Sequence, residues 1–268
     1  MGHHGAVTDA AALLHAYDDQ LRTDAETAHA VTAERRGPLR LAMFPGGYGF
    51  VSYRDLEGVR EDSMGELVGS TLAHFAADPA ITAVEWKTRG HDRAPGLLDA
   101  LVAHGFVAEE PESIMVGEAA LLTADVPLPE GVVLRRAADE RDVRAMSAMQ
   151  DEVFGDPVSA ERADDLVRRL DGDDGTELWI AEADGRIVSA GRLQPVEGSD
   201  FAGIWGGATR EEWRGRGIYR ALTAARARSA LAMGKRYLHS DSTEFSRPIL
   251  ERSGLVKVST TTPYVWRP

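Results

Sequence analysis

The chain contains no cysteine. Disulfides, thiolate nucleophiles, iron–sulfur clusters and Cys-ligated zinc are therefore excluded. Long apolar runs are also missing, none approaching the ~20 residues that span a bilayer. The opening MGHHGAVTDAA lacks a basic stretch followed by an apolar one, so the expectation is a cytoplasmic protein without a secretory signal. His3 and His4 are set aside from site reasoning. Positive charge is short, with 30 Lys/Arg against 43 Asp/Glu and a net charge of −13. That balance disfavours nucleic acid and anionic membranes as partners. What is present, 43% hydrophobic and 27% charged residues, is near the globular average and excludes wholesale disorder. A length of 268 residues is close to two domains at roughly 150 residues each.

Charge is divided unevenly. Residues 1–130 hold 9 Lys/Arg and 21 Asp/Glu, and residues 131–268 hold 21 and 22. Between Arg210 and Arg236 stand eight basic residues (Arg210, Arg214, Arg216, Arg220, Arg226, Arg228, Lys235, Arg236) and two acids, Glu211 and Glu212. Such a run is either a solvated helix face or an anion site.

Two prolines and a glycine in 124–131 (ADVPLPEG) mark a linker. The expected domains are 1–125 and 132–268. In the second, a strand at 132–136 precedes a helix over 139–154, where Val143, Met146 and Met149 recur at helical spacing. A second helix covers 160–170. Strands at 177–182 and 186–193 flank an Ala-Asp-Gly turn, a hairpin signal. A strand at 201–209, an Ala-rich helix at 218–233, a strand at 237–240, a short helix at 247–253 and a final strand or two at 256–266 complete it. In the first domain, helices are expected at 10–21, 64–75 and 96–104. Strands are expected at 39–44, 49–53, 81–86 and 113–116. Both halves end in strand, polar loop, short Leu-containing helix, Gly plus an apolar residue, and strand, which reads as an internal duplication or as chance similarity of two α/β tails.

The stretch that carries chemistry is WRGRGIYRAL, Trp213–Leu222. It follows a strand and opens a helix. Glycine lets backbone N–H groups converge, the helix N-terminus adds its dipole, and the arginines can contact phosphate oxygens. Together these make a pyrophosphate cradle. A Walker loop and a dinucleotide fingerprint are both excluded by spacing. Arg214-Gly215-Arg216-Gly217-Ile218-Tyr219 resembles the Arg/Gln-x-x-Gly-x-Gly/Ala loop of the GCN5-related N-acetyltransferase (GNAT) family. Tyr219 stands where the family has Gly or Ala. The resemblance spans about 132–268.

That resemblance implies an α/β fold, a GNAT-like mixed sheet flanked by helices, with acetyl-CoA or another acyl-CoA as acyl-donor substrate. It implies that the backbone of Ala208 and Thr209 pairs with the pantetheine arm. It also implies that amides of Gly215, Arg216, Gly217, Ile218, Tyr219 and Arg220 hold the pyrophosphate beside Arg214. The family's Asn after its fifth strand falls at Thr243, with Ser246 three residues on; each hydroxyl has an alternative role as a helix N-cap. The position of the family's acidic Tyr is Leu250, and that of its strand-four Glu is Gly203. The usual acid and base are thus both absent, and the catalytic residue stays unknown.

Acyl transfer needs a neutral amine, an oxyanion donor and a proton for the departing thiolate. Glu152, Glu197, Asp200, His239, Asp241 and Glu244 are candidates near a cleft, and Tyr237 and Tyr264 are proton donors by type with core or rim packing as the alternative. If the fifth strand alternates as in the family, Leu238 and Ser240 face that cleft and His239 and Asp241 face away.

Residues 1–125 carry no phosphate loop. RDLEGVREDS between Tyr53 and Met64 has one glycine and four acids, a charge that repels CoA. The expectation is a degenerate GNAT-like half that has lost the cofactor and shapes the acceptor site. The alternative is an unrelated α/β extension for packing or dimerisation, so a homodimer stays open. His91 beside Asp92 is too little for a metal, and none is expected. The expected function, implied by the resemblance, is an N-acetyltransferase acting on a primary amine of a small molecule by direct transfer, with a mild preference for a cationic acceptor. The rivals are a protein or peptide amine acetyltransferase and a non-catalytic acyl-CoA-binding module.

Overall fold

The computed structural model describes residues 9–268 apart from 171 and 173; His3 and His4 lie outside the described residues. The elements run α1 (Ala10–Gln20), β1 (Thr32–Arg36), β2 (Leu39–Phe44), β3 (Tyr48–Tyr53), α2 (Met64–Ala76), β4 (Ala83–Arg89), α3 (Leu97–Ala103), β5 (Val107–Ala108) and β6 (Glu112–Glu118). They continue as β7 (Val132–Arg136), α4 (Glu140–Phe154), α5 (Ala160–Leu170), β8 (Glu177–Ala183), β9 (Arg186–Pro195), β10 (Phe201–Thr209), α6 (Ile218–Ala232), β11 (Tyr237–Ser242), α7 (Arg247–Ser253) and β12 (Val256–Trp266). The fold class is mixed α/β.

The chain forms two compact units. The first is Met1–Ile114 with Asp241–Glu244 and Lys257–Pro268, and the second is Met115–Ser240 with Phe245–Val256. Most of β12 therefore belongs to the first unit, where sequence punctuation placed all of 132–268 in one domain.

In the first unit β1, β2 and β3 are antiparallel neighbours and β3 lies parallel to β4, with α2 as the crossover a parallel pair requires. β12 then pairs antiparallel to β4 and to β5. Strand alternation sorts β4: Val84 and Trp86 join a core with Leu41, Val51, Val68, Leu101 and Phe106. Lys87 and Arg89 alternate with them and are ion-paired with Asp241 and Glu26. Tyr17 of α1 is buried beside these charges, and burial pushes its phenol up.

The second unit has strand order β7-β8-β9-β10-β11. The first four strands are antiparallel neighbours, and β10 is parallel to β11. Val143, Met146 and Met149 of α4 and Leu166 of α5 pack with Ile180 and Ala190, so the apolar spacing read in the sequence is the core face. Ala227 and Ala230 of α6 pack with Ala202, Ile204, Leu238 and Leu250. Helices thus cover both faces. The start of α4 is fixed by Asp139, whose side chain accepts from Asp142 N–H at 2.9 Å.

Candidate acyl-donor site

The loop between β10 and α6 gathers backbone N–H groups and arginines at the start of a helix. After Thr209 a single 3-10 turn, Glu211–Trp213, leads to Arg214, and Gly217 is the N-cap of α6 with φ +81°. No side chain caps the helix there. The first N–H groups of any helix lack a carbonyl one turn back, and here they open onto glycine rather than a carboxylate. An added Cβ on Gly215 meets nothing within 4 Å, but its φ of +73° favours glycine. Arg214 and Arg216 are exposed beside the loop. Arg214 Nε donates to Thr209 O at 3.1 Å, and the Arg216 guanidinium lies 4.9 Å from the Trp213 ring centroid. Arg220 is exposed in the first turn. Ile218 points inward, packed with Val132, Ala181 and Val188, so only its amide faces the loop. These donors and cations fit a diphosphate.

β10 presents an open edge. Its parallel register with β11 runs from Phe201↔Tyr237 to Gly203↔His239, while β10 continues to Thr209. Past Trp205 a bulge shifts the register against β9. Ala208 and Thr209 follow the bulge and pair with Ala190 and Ser189. Ser189 Oγ donates to Ala208 O at 2.8 Å and lies 2.8 Å from Thr209 Oγ1.

The position of the missing carboxylate has a physical explanation. A Cβ on Gly203 would sit 2.3 Å from Nε1 of Trp205. The indole occupies the space that a side chain at 203 would need. His239 packs edge-on to that ring at 5.1 Å and to Phe201 at 5.9 Å. Leu238 is fully buried in the apolar core with Ala202 and Ile204. This corrects the expected facing of Leu238: the strand alternates, but the core takes it, because α6 covers that face.

The other candidates disperse. Glu152 is ion-paired with Arg210 at 2.7 Å. Glu197 and Asp200 are exposed in the turn before β10. Tyr237 stacks on Phe201 at 5.0 Å. Ser246 stands at the N-cap of α7, where its side chain makes no capping bond, and belongs to the second unit. Asp241, exposed Thr243 and Glu244, and Tyr264 belong to the first. There Asp241 pairs with Lys87 at 2.6 Å, and Tyr264 packs on the apolar core. His91 and Asp92 are likewise taken: His91 Nδ1 meets Ser259 Oγ at 2.6 Å and its Nε2 meets Asp18 at 3.1 Å, while Asp92 pairs with Arg22 at 2.7 Å. Sequence reasoning missed Trp205 and Gln150, which donates Nε2–H to Gly206 O at 2.5 Å; the adjacent glycines at 206 and 207 were the available signal.

Residues 143–254 match the acetyltransferase (GNAT) family. Solved structures extend the likeness to most of the chain. A GCN5-related N-acetyltransferase from Kribbella flavida is 17% identical, with 98% of this chain and 97% of that one covered and a TM-score of 0.68. One from Sphaerobacter thermophilus is 20% identical, with 86% and 78% covered and a TM-score of 0.65. A tandem GNAT protein from the clavulanic acid biosynthesis pathway is 16% identical, with 96% and 95% covered and a TM-score of 0.62. No curated protein matches the chain in sequence. The family match is confined to the C-terminal half, and the tandem GNAT fold extends over nearly the whole chain. No helix among the described residues is long and apolar enough to cross a membrane.

Proposed function

We propose that the second unit binds acetyl-CoA or another acyl-CoA and that the protein is an N-acetyltransferase for a primary amine of a small molecule. The observation that carries this reading is the uncapped start of α6 at Gly217, set among Arg214, Arg216 and Arg220 directly after the open edge of β10. Amides of Gly215–Arg220 would hold the pyrophosphate, and the backbone around Ala208 and Thr209 would meet the pantetheine amides. When bound, acetyl-CoA supplies an acyl group activated as a thioester. The first unit is proposed to take no donor, because its corresponding loop is acidic.

A second reading, a non-catalytic acyl-CoA-binding module, is favoured by two positions. Gly203 lies under the Trp205 ring, and Leu250 is buried in the core, so neither supplies the family's base or acid. Thiol release from acetyl-CoA, measured against a panel of small amines, amino acids and aminoglycosides with calorimetric binding in parallel, separates the readings. Acceptor-dependent release supports the enzyme. Tight binding without release across the panel favours the module, and no binding overturns both.

A further inference from the structure

The bulge of β10 is gripped from both faces of the sheet. Gly206 has φ +59°, and the buried Gln150 of α4 donates to its carbonyl at 2.5 Å. A Cβ on Gly206 would sit 2.8 Å from that same Nε2. On Gly207, a Cβ would meet the Tyr219 ring at 2.6 Å and its hydroxyl at 2.8 Å. The ring comes from the first turn of α6 and lies against the strand. Behind it stands Arg226, 1% exposed, with its guanidinium carbon 6.0 Å from the Tyr219 centroid. Its donors go to Leu222 O, Arg192 O and Thr223 Oγ1, each at 3.3 Å. Gly191 makes room for it, since a Cβ there would sit 2.6 Å from Nη1.

The bulge turns the strand over. Ala202 and Ile204, before it, pack on α6, whereas Ala208, after it, packs with Val143 and Met149 of α4. A bulge re-aims the backbone that follows, here along the edge that continues past the β11 register. Two adjacent glycines are the most permissive backbone a strand can contain. Left alone, they would have to be ordered, at a cost in conformational entropy, whenever a ligand paired with that edge. Gln150 and Tyr219 remove that freedom in advance.

We propose that Gln150 and Tyr219 are positioning residues that hold the Gly206–Gly207 bulge preformed for the pantetheine arm. The inference rests on the acyl-CoA reading of the second unit. It also assigns a purpose to the tyrosine that departs from the family's loop: the residue at 219 is large because it backs Gly207, which is correspondingly bare.

The test is calorimetry on the full chain with two probes. Acetyl-CoA carries pantetheine, and 3′-phospho-ADP keeps the pyrophosphate without it. Gln150→Met and Tyr219→Ala each weaken acetyl-CoA about five- to tenfold, the scale of one hydrogen bond or packing contact, and leave 3′-phospho-ADP within about twofold. Tyr219→Phe, which keeps the ring, binds both probes as the wild type does. Thermal melting selects the folded variants. Equal weakening of both probes, or no weakening of acetyl-CoA, overturns the proposal. A wild-type chain that binds neither probe overturns the acyl-CoA reading, and this inference with it.

Discussion

Both units contain a strand that passes through a loop into a helix and returns as a parallel neighbour: β3–α2–β4 in the first, β10–α6–β11 in the second. The topology is shared and the loops are opposite in character. In the first unit the crossing holds Asp55, Glu57, Glu61 and Asp62. Its two arginines are already engaged, Arg54 with Asp19 at 2.7 Å and Arg60 with Asp62 at 2.6 Å. Glu61 and Asp62 precede α2 directly and fill its N-terminal field with carboxylates. In the second unit Gly217 leaves the helix uncapped and exposed arginines surround it. The same architecture is anion-filled in one place and anion-receptive in the other, and about ten residues decide which. On the proposed reading, the loop rather than the fold decides which unit takes a donor.

The units also differ in where they put their remaining cations. In the first, buried Arg22 and Arg89 and half-buried Lys87 are ion-paired with Asp92, Glu26 and Asp241. The largest expected effect follows from this. Asp241→Asn leaves the half-buried Lys87 ammonium without its nearest carboxylate and destabilises the protein by about 3 kcal/mol, the low end for a buried pair. Denaturant unfolding measures that loss, and acetyl-CoA affinity measured on the folded fraction stays unchanged. A large fall in affinity would break the separation of roles between the units.

Next in size is the loop itself. Gly217→Val places a β-branched residue at φ +81°, against Val126, and lowers acetyl-CoA affinity on the order of 100-fold, about 2.7 kcal/mol. The matching change in the first unit, Gly58→Val, also falls at positive φ, +87°. It costs about 1 kcal/mol of stability and leaves the affinity as it was. Calorimetry on both variants reads the contrast.

A smaller effect depends on pH. In the second, hydrogen bonds from Arg135 hold Asp142 down to about 2, against an ordinary 3.8. Because the folded value lies below the unfolded one, the stabilisation is complete above about pH 4 and is lost as pH falls towards 2. Asp142→Asn therefore costs about 1–2 kcal/mol at pH 7, discounted for the partial exposure of Arg135, and nothing at the acid end. Urea unfolding at pH 7 and at pH 2.5, where roughly a third of the difference remains, shows whether it narrows as expected. The smallest effect is Arg216→Ala, which weakens acetyl-CoA about threefold at low salt and less at high salt. Arg60→Ala in the other crossing leaves it unchanged.

Most elements were legible because their signals are local. The helical spacing of Val143, Met146 and Met149 and the Ala-Asp-Gly turn located α4 and the β8–β9 hairpin to within a residue or two. β1 was not legible: Thr32–Arg36 is exposed along its whole length, has no apolar alternation, and is a strand through its pairing with β2. The unit membership of β12 was hidden for a similar reason, since its register with β4 joins residues some 170 positions apart, such as Thr261 and Arg89. At the site, Arg214–Arg220 could be read because glycine, arginine and a helix start are consecutive. Gly203 was noticed as a missing carboxylate, but its cause, the Trp205 ring, needed a strand conformation. Gln150 and Arg226 act on backbone carbonyls from other elements, and no spacing in the sequence announces that.

The measurement that tests the account most directly is the stoichiometry of acetyl-CoA binding to the full chain, repeated with Gly217→Val and Gly58→Val. One site per chain, lost with Gly217→Val and kept with Gly58→Val, is the predicted result. Two sites, or a site that survives Gly217→Val and vanishes with Gly58→Val, would contradict it.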